Sequence, residues 1–302
     1  MTNGLSVLMK GVADRFRAMV TGSPDGAPTW VKRLEDGEGP GIFGPESNVW
    51  IVHSSLPTLV GGIRALILQT AHPAALTGVL EHSRYETDFV GRLIGTSKWL
   101  AITSFGTEEH IANEARRVNE MHTRVTGEYE NRDGQVKRYE ARNPLYLEWV
   151  HCAFTESFLI CHERLAGKNK VVDSDLYVEE WQKSAIPLGL DHAPRNRREL
   201  IARIDKYVEA ELVCTADTEK VLKFVIRPPM GMVAYLFYRP LLNCAIATLR
   251  PNERELLKLK KRSTLWIPLV KFQLALLQVG LGSRPPAMEA ALRRIARREK
   301  SI

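Results

Sequence analysis

From Leu145 to Leu165 the chain is apolar nearly all the way round a helical turn. Only Glu148, His151, Thr155, Glu156, Ser157 and the polar end His162-Glu163-Arg164 interrupt it. Asn143 and Pro144 supply N-cap and first-turn signals, and Gly167 supplies the stop. A helix without a polar face must be central and buried, so other elements have to surround it. The rest of the chain offers helices for the purpose. Helical periodicity runs through segments near 5–20, 57–70, 74–82, 86–103, 108–127, 174–186, 196–213, 216–225, 232–248, 252–261, 264–280 and 285–298. Thr107 before Glu108, Glu109 and His110 opens the segment at 108, and Gly127 is its expected end. Val136 to Tyr139 follows the tight-turn pair Asp133-Gly134 and reads as one arm of a small hairpin. Ser23 to Gly44, rich in Gly and Pro, reads as an ordered arm. The expectation is an all-α fold, one large helical domain around a buried central helix. Residues 1–44 form an N-terminal helix and arm, 45–270 the main domain, and 271–302 C-terminal helices packed on it.

Charged residues at 25% and hydrophobic residues at 44% of 302 are ordinary for a soluble globular chain. The net charge of +7 is spread out, except for Arg293, Arg294, Arg297, Arg298 and Lys300 near the end. No zinc finger, RNA-recognition signature or basic run interleaved with aromatics accompanies it, so no nucleic-acid partner is expected. Cys152, Cys161, Cys214 and Cys244 form no CxxC pair and lie in apolar segments, as reduced thiols of a cytoplasmic protein do. Met1 to Val20 lacks the continuous apolar stretch of a signal peptide. The closest approach to a membrane span, Leu265 to Leu281, is short and contains Pro268, Lys271, Gln273 and Gln278; a buried core helix is expected there. The last helix gathers Met288, Ala291, Leu292 and Ile295 on one side and arginines elsewhere. It is read as packed on the domain, with a weak peripheral contact to anionic lipid as the alternative.

The segment at 108–127 carries an apolar stripe, Ile111, Ala115, Val118, His122, Val125, whose fourth position is a histidine. A buried imidazole needs a hydrogen bond, a charge or a metal ion. Upstream, Arg92 and Thr96 lie four apart, a fixed charge and a hydroxyl on one helix face. Of eight histidines, His72, His122 and His151 are expected to face the interior. His72 precedes Pro73, so the chain should break there between two apolar helices. Three metal chemistries could use such a set. A zinc hydrolase wants a compact ligand set such as HExxH, which is missing. A di-iron carboxylate bundle wants two ExxH helices, and only Glu148-Trp149-Val150-His151 is present. Haem needs one histidine facing an apolar slot, with an arginine to pair with a propionate or orient a bound ligand. On spacing alone a core histidine bonded to a backbone carbonyl is the favoured reading of the stripe, with the metal readings left open.

The run Gln69-Thr70-Ala71-His72-Pro73-Ala74-Ala75 continues into Gly78-Val79 and His82-Ser83. Then come Gly91-Arg92-Leu93-Ile94-Gly95-Thr96, Val118 to Gly127 around His122, Trp149-Val150-His151, and Arg227-Pro228-Pro229. In this order, over roughly residues 45 to 270, the chain resembles the MpaB/latex-clearing-protein oxygenase family. That family includes bacterial rubber oxygenases and the fungal oxygenase of mycophenolic acid biosynthesis. The resemblance implies an all-helical fold with a slot for a b-type haem between helices. His122 matches the proximal iron ligand, and Arg92 and Thr96 match the Arg-x-x-x-Thr element beside the haem. His72 and His151 match further histidines of the haem pocket. Rubber-cleaving members carry a lysine just before that threonine, where this chain has Gly95, and no carboxylate aligns with their glutamate base. The expected function is a haem b-dependent oxygenase that activates dioxygen or peroxide toward a small apolar, isoprenoid-like substrate. A non-catalytic haem- or lipid-binding helical protein and a di-iron carboxylate oxygenase are the alternatives.

Overall fold

A computed structural model describes residues 21–82, 89–167 and 170–299, with Gly11, Asp14, Arg15, Arg17 and Ala18; the side chains of 89, 90, 92, 93, 298 and 299 lie outside it. In chain order the helices are α1 (Thr29–Lys32), α2 (Asn48–His53), α3 (Pro57–Gln69), α4 (Pro73–His82), α5 (Phe89–Phe105) and α6 (Glu108–His122). A two-stranded hairpin, β1 (Thr126–Glu130) and β2 (Val136–Glu140), follows. Then come α7 (Pro144–Leu165), α8 (Ser174–Trp181), α9 (Arg197–Ala210), α10 (Ala216–Ile226), α11 (Met232–Ala247), α12 (Pro251–Leu256), α13 (Trp266–Leu281) and α14 (Pro286–Glu299). The fold is predominantly helical, as expected. Most of the expected helix at 5–20 lies outside the described residues.

The apolar stretch 145–165 is the central helix α7. Its start is fixed by Asn143, whose side chain accepts from the Leu145 amide at 3.0 Å. It packs most extensively along α3, and also touches α2, α4, α8, α9 and α13. The closeness to α3 depends on Gly61, where a Cβ would fall 2.7 Å from Phe158 Cδ1 and 3.1 Å from the Phe158 Cα. The polar interruptions of α7 are explained at the same contact. Arg64 of α3, fully buried, donates to both carboxylate oxygens of Glu156, to Ser157 Oγ at 2.8 Å and to Glu253 of α12 at 2.9 Å. Arg250 continues the chain of charges from Glu253 to Asp205 of α9. Buried charges are tolerable only when paired in this way.

The segment 108–127 is not one helix. α6 ends at His122, and Thr126 already belongs to β1, paired in antiparallel register from Thr126↔Glu140 to Glu130↔Val136. Val125, Thr126 and Tyr129 are good strand formers, and pairing with β2 overrides the helical spacing. Gly127 is therefore no helix stop. It faces α4, where a Cβ would come 3.0 Å from the Thr77 methyl and would push the Glu81 carboxylate aside. Gly78 of α4 does the same on the other strand, facing the ring and hydroxyl of Tyr139. His82 fastens the pair, its Nε2 lying 2.6 Å from the Thr126 carbonyl. Asp133-Gly134 makes the turn, with Gly134 at φ +75°.

The expectation for α13 is overturned. It is not a buried core helix: Val270, Leu274 and Leu277 pack inward, while Leu265, Leu269, Phe272, Leu276 and Val279 are exposed. α14, in contrast, turns its apolar side inward. Ala287, Ala290 and Ala291 are buried, with Met288, Leu292 and Ile295 packed against the main core. Val31, Leu34 and Phe43 of the N-terminal arm belong to that same core. Arg294 of α14, 1% exposed, donates to the carbonyls of Leu34, Gly39 at 2.9 Å and Phe105 at 2.8 Å. All four cysteines are free; Cys152, Cys161 and Cys244 are buried and Cys214 half-buried. Among the described residues no helix is long and apolar enough to cross a membrane.

Candidate functional site

The eight histidines divide into two groups by their partners. His53 lies between Ser104 Oγ (2.7 Å) and Tyr177 OH (2.9 Å). His162 lies between Ser55 Oγ (3.0 Å) and the Lys170 carbonyl (2.7 Å). His82 holds Thr126, His110 accepts from the Thr107 amide in the capping box of α6, and His192 is exposed. The remaining three, His72, His122 and His151, are buried or half-buried, and Nδ1 of His72 and of His122 is buried without a hydrogen-bond partner among the described residues. These are the three that the sequence motifs select.

His122 is the last residue of α6, half-buried, with Nδ1 shielded from solvent and unpartnered. Burial, then the cations Arg117 and Arg142, hold its pKa below the usual histidine value. The ring is therefore neutral at neutral pH, the form whose lone pair can bind a metal. A buried ring nitrogen without a partner costs about 1–3 kcal/mol, which a group bound from outside the chain would relieve. α5 runs beside α6 and is locked to it by Glu114, which accepts from Lys98 of α5 at 2.8 Å and from Arg117 at 2.9 Å. Burial alone would raise the Glu114 pKa, but these two cations hold it below the ordinary value. Glu114, Val118 and His122 follow at four-residue intervals, so His122 ends the side of α6 turned toward α5.

On α5, Thr96 is half-buried; the backbone of Arg92 is helical one turn earlier, and its side chain lies outside the described residues. Gly95 is exposed, and a Cβ there would meet nothing within 4 Å. The face of α5 next to Thr96 is thus open where rubber-cleaving enzymes place a lysine.

His72 sits at the break between α3 and α4, as the His-Pro pair predicts. It is 2% exposed and enclosed by Tyr146, Trp149 and Tyr207, with ring centroids at 5.6, 6.1 and 6.0 Å. Burial pulls its pKa down to about 4. His151 lies on α7, half-buried, its pKa also held at about 4 by burial. Two residues advance a helix by about 200°, so His151 and the Trp149 edge that meets His72 occupy different faces of α7. His72 and His151 therefore do not form one ligand pair across α7.

The ExxH of α7 is disposed of by its glutamate. Glu148 accepts from Arg203 through one oxygen and lies 2.8 Å from the Tyr207 hydroxyl through the other. Among the described residues no three His, Cys, Asp or Glu side chains converge as metal ligands, which leaves the di-iron alternative without its half motif. A separate open groove of about 470 Å³ runs along α6, lined by Ala112, Arg116, Asn119, Thr123, Arg142 and Pro187 among others. It shares α6 with His122, but His122 is not among its lining residues. The cations beside His122 escape a reading of the sequence because Arg142 follows the hairpin, whose pairing brings it back to α6.

Residues 50–278 match the family described as ER-bound oxygenase mpaB/B′/rubber oxygenase, catalytic domain. No curated protein and no solved structure matches the chain.

Proposed function

The chain belongs to the mpaB/rubber oxygenase family, and from that premise we propose a haem b-dependent oxygenase acting on a small apolar molecule. The observation that carries the reading is His122, a neutral, half-buried imidazole with an unpartnered nitrogen at the end of α6. His72 has a similar orphan nitrogen, but the three rings around it leave no access for a porphyrin. His122 would hold the iron, and the bound haem would supply activation of dioxygen or peroxide. The depressed pKa of His122 keeps the ligand form available with no proton to remove first. The Lys98–Glu114 pair ties α5 to α6, the helices that carry Thr96 and His122. Thr96 would contribute a hydroxyl and Arg92 a guanidinium to order polar groups in the pocket. Of the two further histidines, His151 would line the pocket as a neutral ring, and His72, enclosed by its three aromatic neighbours, would keep a structural role. Gly95 leaves the α5 face free for an apolar, isoprenoid-like substrate and points away from rubber cleavage itself.

The test is the optical spectrum of protein produced with ample haem supply. The expected result is a Soret band that is lost or strongly shifted in His122→Ala, and retained in His192→Ala. A wild type without a Soret band, or a band indifferent to His122→Ala, overturns the iron-ligand reading. A non-catalytic haem or lipid binder is the second reading, favoured by the bare Gly95. Substrate-dependent oxygen uptake with unsaturated lipids and terpenoids separates the two.

A further inference from the structure

The exposed side of α13 is an apolar surface facing outward. Leu265, Leu269, Phe272, Leu276 and Val279 recur at spacings of four, three, four and three, which places them on one side of the helix. Phe272 is 63% and Val279 79% exposed. The opposite side of the same helix, Val270, Leu274 and Leu277, is packed inward. α11 packs beside α13, with Gln273 donating to the Phe237 carbonyl at 2.8 Å. The first half of α11 exposes Met232, Val233 and Leu236, ahead of its buried second half Leu241 to Ile246. Exposed apolar side chains scattered singly need no explanation, but eight on two neighbouring helices do.

Charge decides what covers them. From residue 256 to 288 there is no Asp or Glu; Lys258 is paired with Glu219, and Lys260, Lys261, Arg262, Lys271 and Arg284 are further cations. Residues 220–252, which include α11, also lack acidic residues and carry Lys220, Lys223, Arg227 and Arg239, besides Arg250, which is paired with Glu253 and Asp205. A second copy of the chain docked symmetrically here would set this basic surface against itself. An anionic surface would be matched by it. Exposed apolar side chains on segments that carry cations and no carboxylate of their own are what an interfacial helix presents to a charged bilayer. We infer that α13 and the first half of α11 form a docking face for an anionic lipid bilayer, with Leu269, Phe272 and Leu276 entering the headgroup–acyl boundary. This face carries none of the candidate site residues Arg92, Thr96, His72, His122 and His151, and it lies on α13 instead of the C-terminal helix.

The test uses the full chain and vesicles of phosphatidylcholine with and without about one third phosphatidylglycerol, read by co-sedimentation. The expected result is binding to the anionic vesicles that weakens as salt rises. The triple variant Leu269→Ser, Phe272→Ser, Leu276→Ser should lower the partition coefficient at least about tenfold. Its α-helical circular dichroism should be unchanged, because the three side chains are exposed. Lys271→Glu should weaken binding to anionic vesicles and flatten the salt dependence of what remains, because fewer cations are left to be screened. No sedimentation with anionic vesicles overturns the inference, as does equal binding by the triple variant. A wild-type dimer in sedimentation equilibrium that the triple variant converts to monomer also overturns it, by naming a second copy as the occupant.

Discussion

Gly61 and Gly62 are neighbours on α3 with opposite expected responses to the same substitution. Replacing a helical glycine by alanine gains about 0.5–1 kcal/mol from reduced backbone freedom. At Gly62 a Cβ meets nothing within 4 Å, so Gly62→Ala should be stabilising by that amount. At Gly61 the same Cβ would lie 2.7 Å from Phe158 Cδ1, 3.1 Å from Phe158 Cα and 3.1 Å from the Ser157 carbonyl oxygen. The ring can turn aside, but the other two atoms are the backbone of α7. The two helices must then separate at their most extensive contact, and overpacking of this kind costs about 1–3 kcal/mol. Gly61→Ala should therefore be net destabilising by up to about 2 kcal/mol, and the two variants should differ by about 1–3 kcal/mol. Urea denaturation followed by far-ultraviolet circular dichroism measures this, with all proteins expected to show the same dependence on urea. Adding Phe158→Leu to Gly61→Ala should restore only part of the loss, because the backbone clash remains. If Gly61→Ala proves as stable as Gly62→Ala, the close approach of α3 and α7 at Gly61 is refuted.

Buried polar groups give three further outcomes. Arg64→Met removes the guanidinium that Glu156 and Glu253 share, and should cost about 3–5 kcal/mol by thermal or urea unfolding. The loss should be smaller at pH 5 than at pH 7.5, since a buried carboxylate left without its partner can take up a proton; burial already pushes the Glu156 pKa up. His53 and His72, whose folded pKa values fall from 6.5 to about 3 and about 4, charge more easily when unfolded. Their contribution is complete above pH 6.5 and is lost as pH falls toward 4, by about 3 kcal/mol for His72, so the urea midpoint should drop across that window and drop less in His72→Phe. His82→Ala removes the hold on the Thr126 carbonyl; amide exchange in β1 should accelerate while global stability falls by about 1 kcal/mol or less.

Helices are legible in the sequence wherever a stripe and a start signal coincide. Asn143-Pro144 and Thr107 mark real helix starts, and the apolar stretch at 145–165 is the central helix. The short α2 is invisible at that level, and with it the burial of His53, because six residues are too few for periodicity to register. The hairpin is half legible: Asp133-Gly134 and Val136 announce one arm, but β1 hides inside a helical spacing that long-range pairing overrules. The two glycines that let the hairpin lie on α4 cannot be told from helix stops until the neighbouring chain is in place. Of the candidate site, His72 can be placed in its break from the sequence, because His-Pro constrains the backbone locally. The cations beside His122 cannot, because Arg117 and Arg142 reach it from a helix turn and from a strand exit. An exposed apolar helix face and a buried one read alike in sequence, which is why α13 reads as core until its neighbours are placed.

The family match ends at residue 278, inside α13, yet the guanidinium that binds the Leu34, Gly39 and Phe105 carbonyls lies beyond it, at Arg294. A fragment trimmed to 50–278 would retain all eight histidines and lose the strut that ties the N-terminal arm to the end of α5. The Phe105 carbonyl would lose its donor, and the surface covered by Ala287, Ala290 and Ala291 would open to water. Kinship and foldability thus draw different borders on this chain: the recognisable segment carries the candidate site, and it borrows its rigidity from the two flanks outside the match.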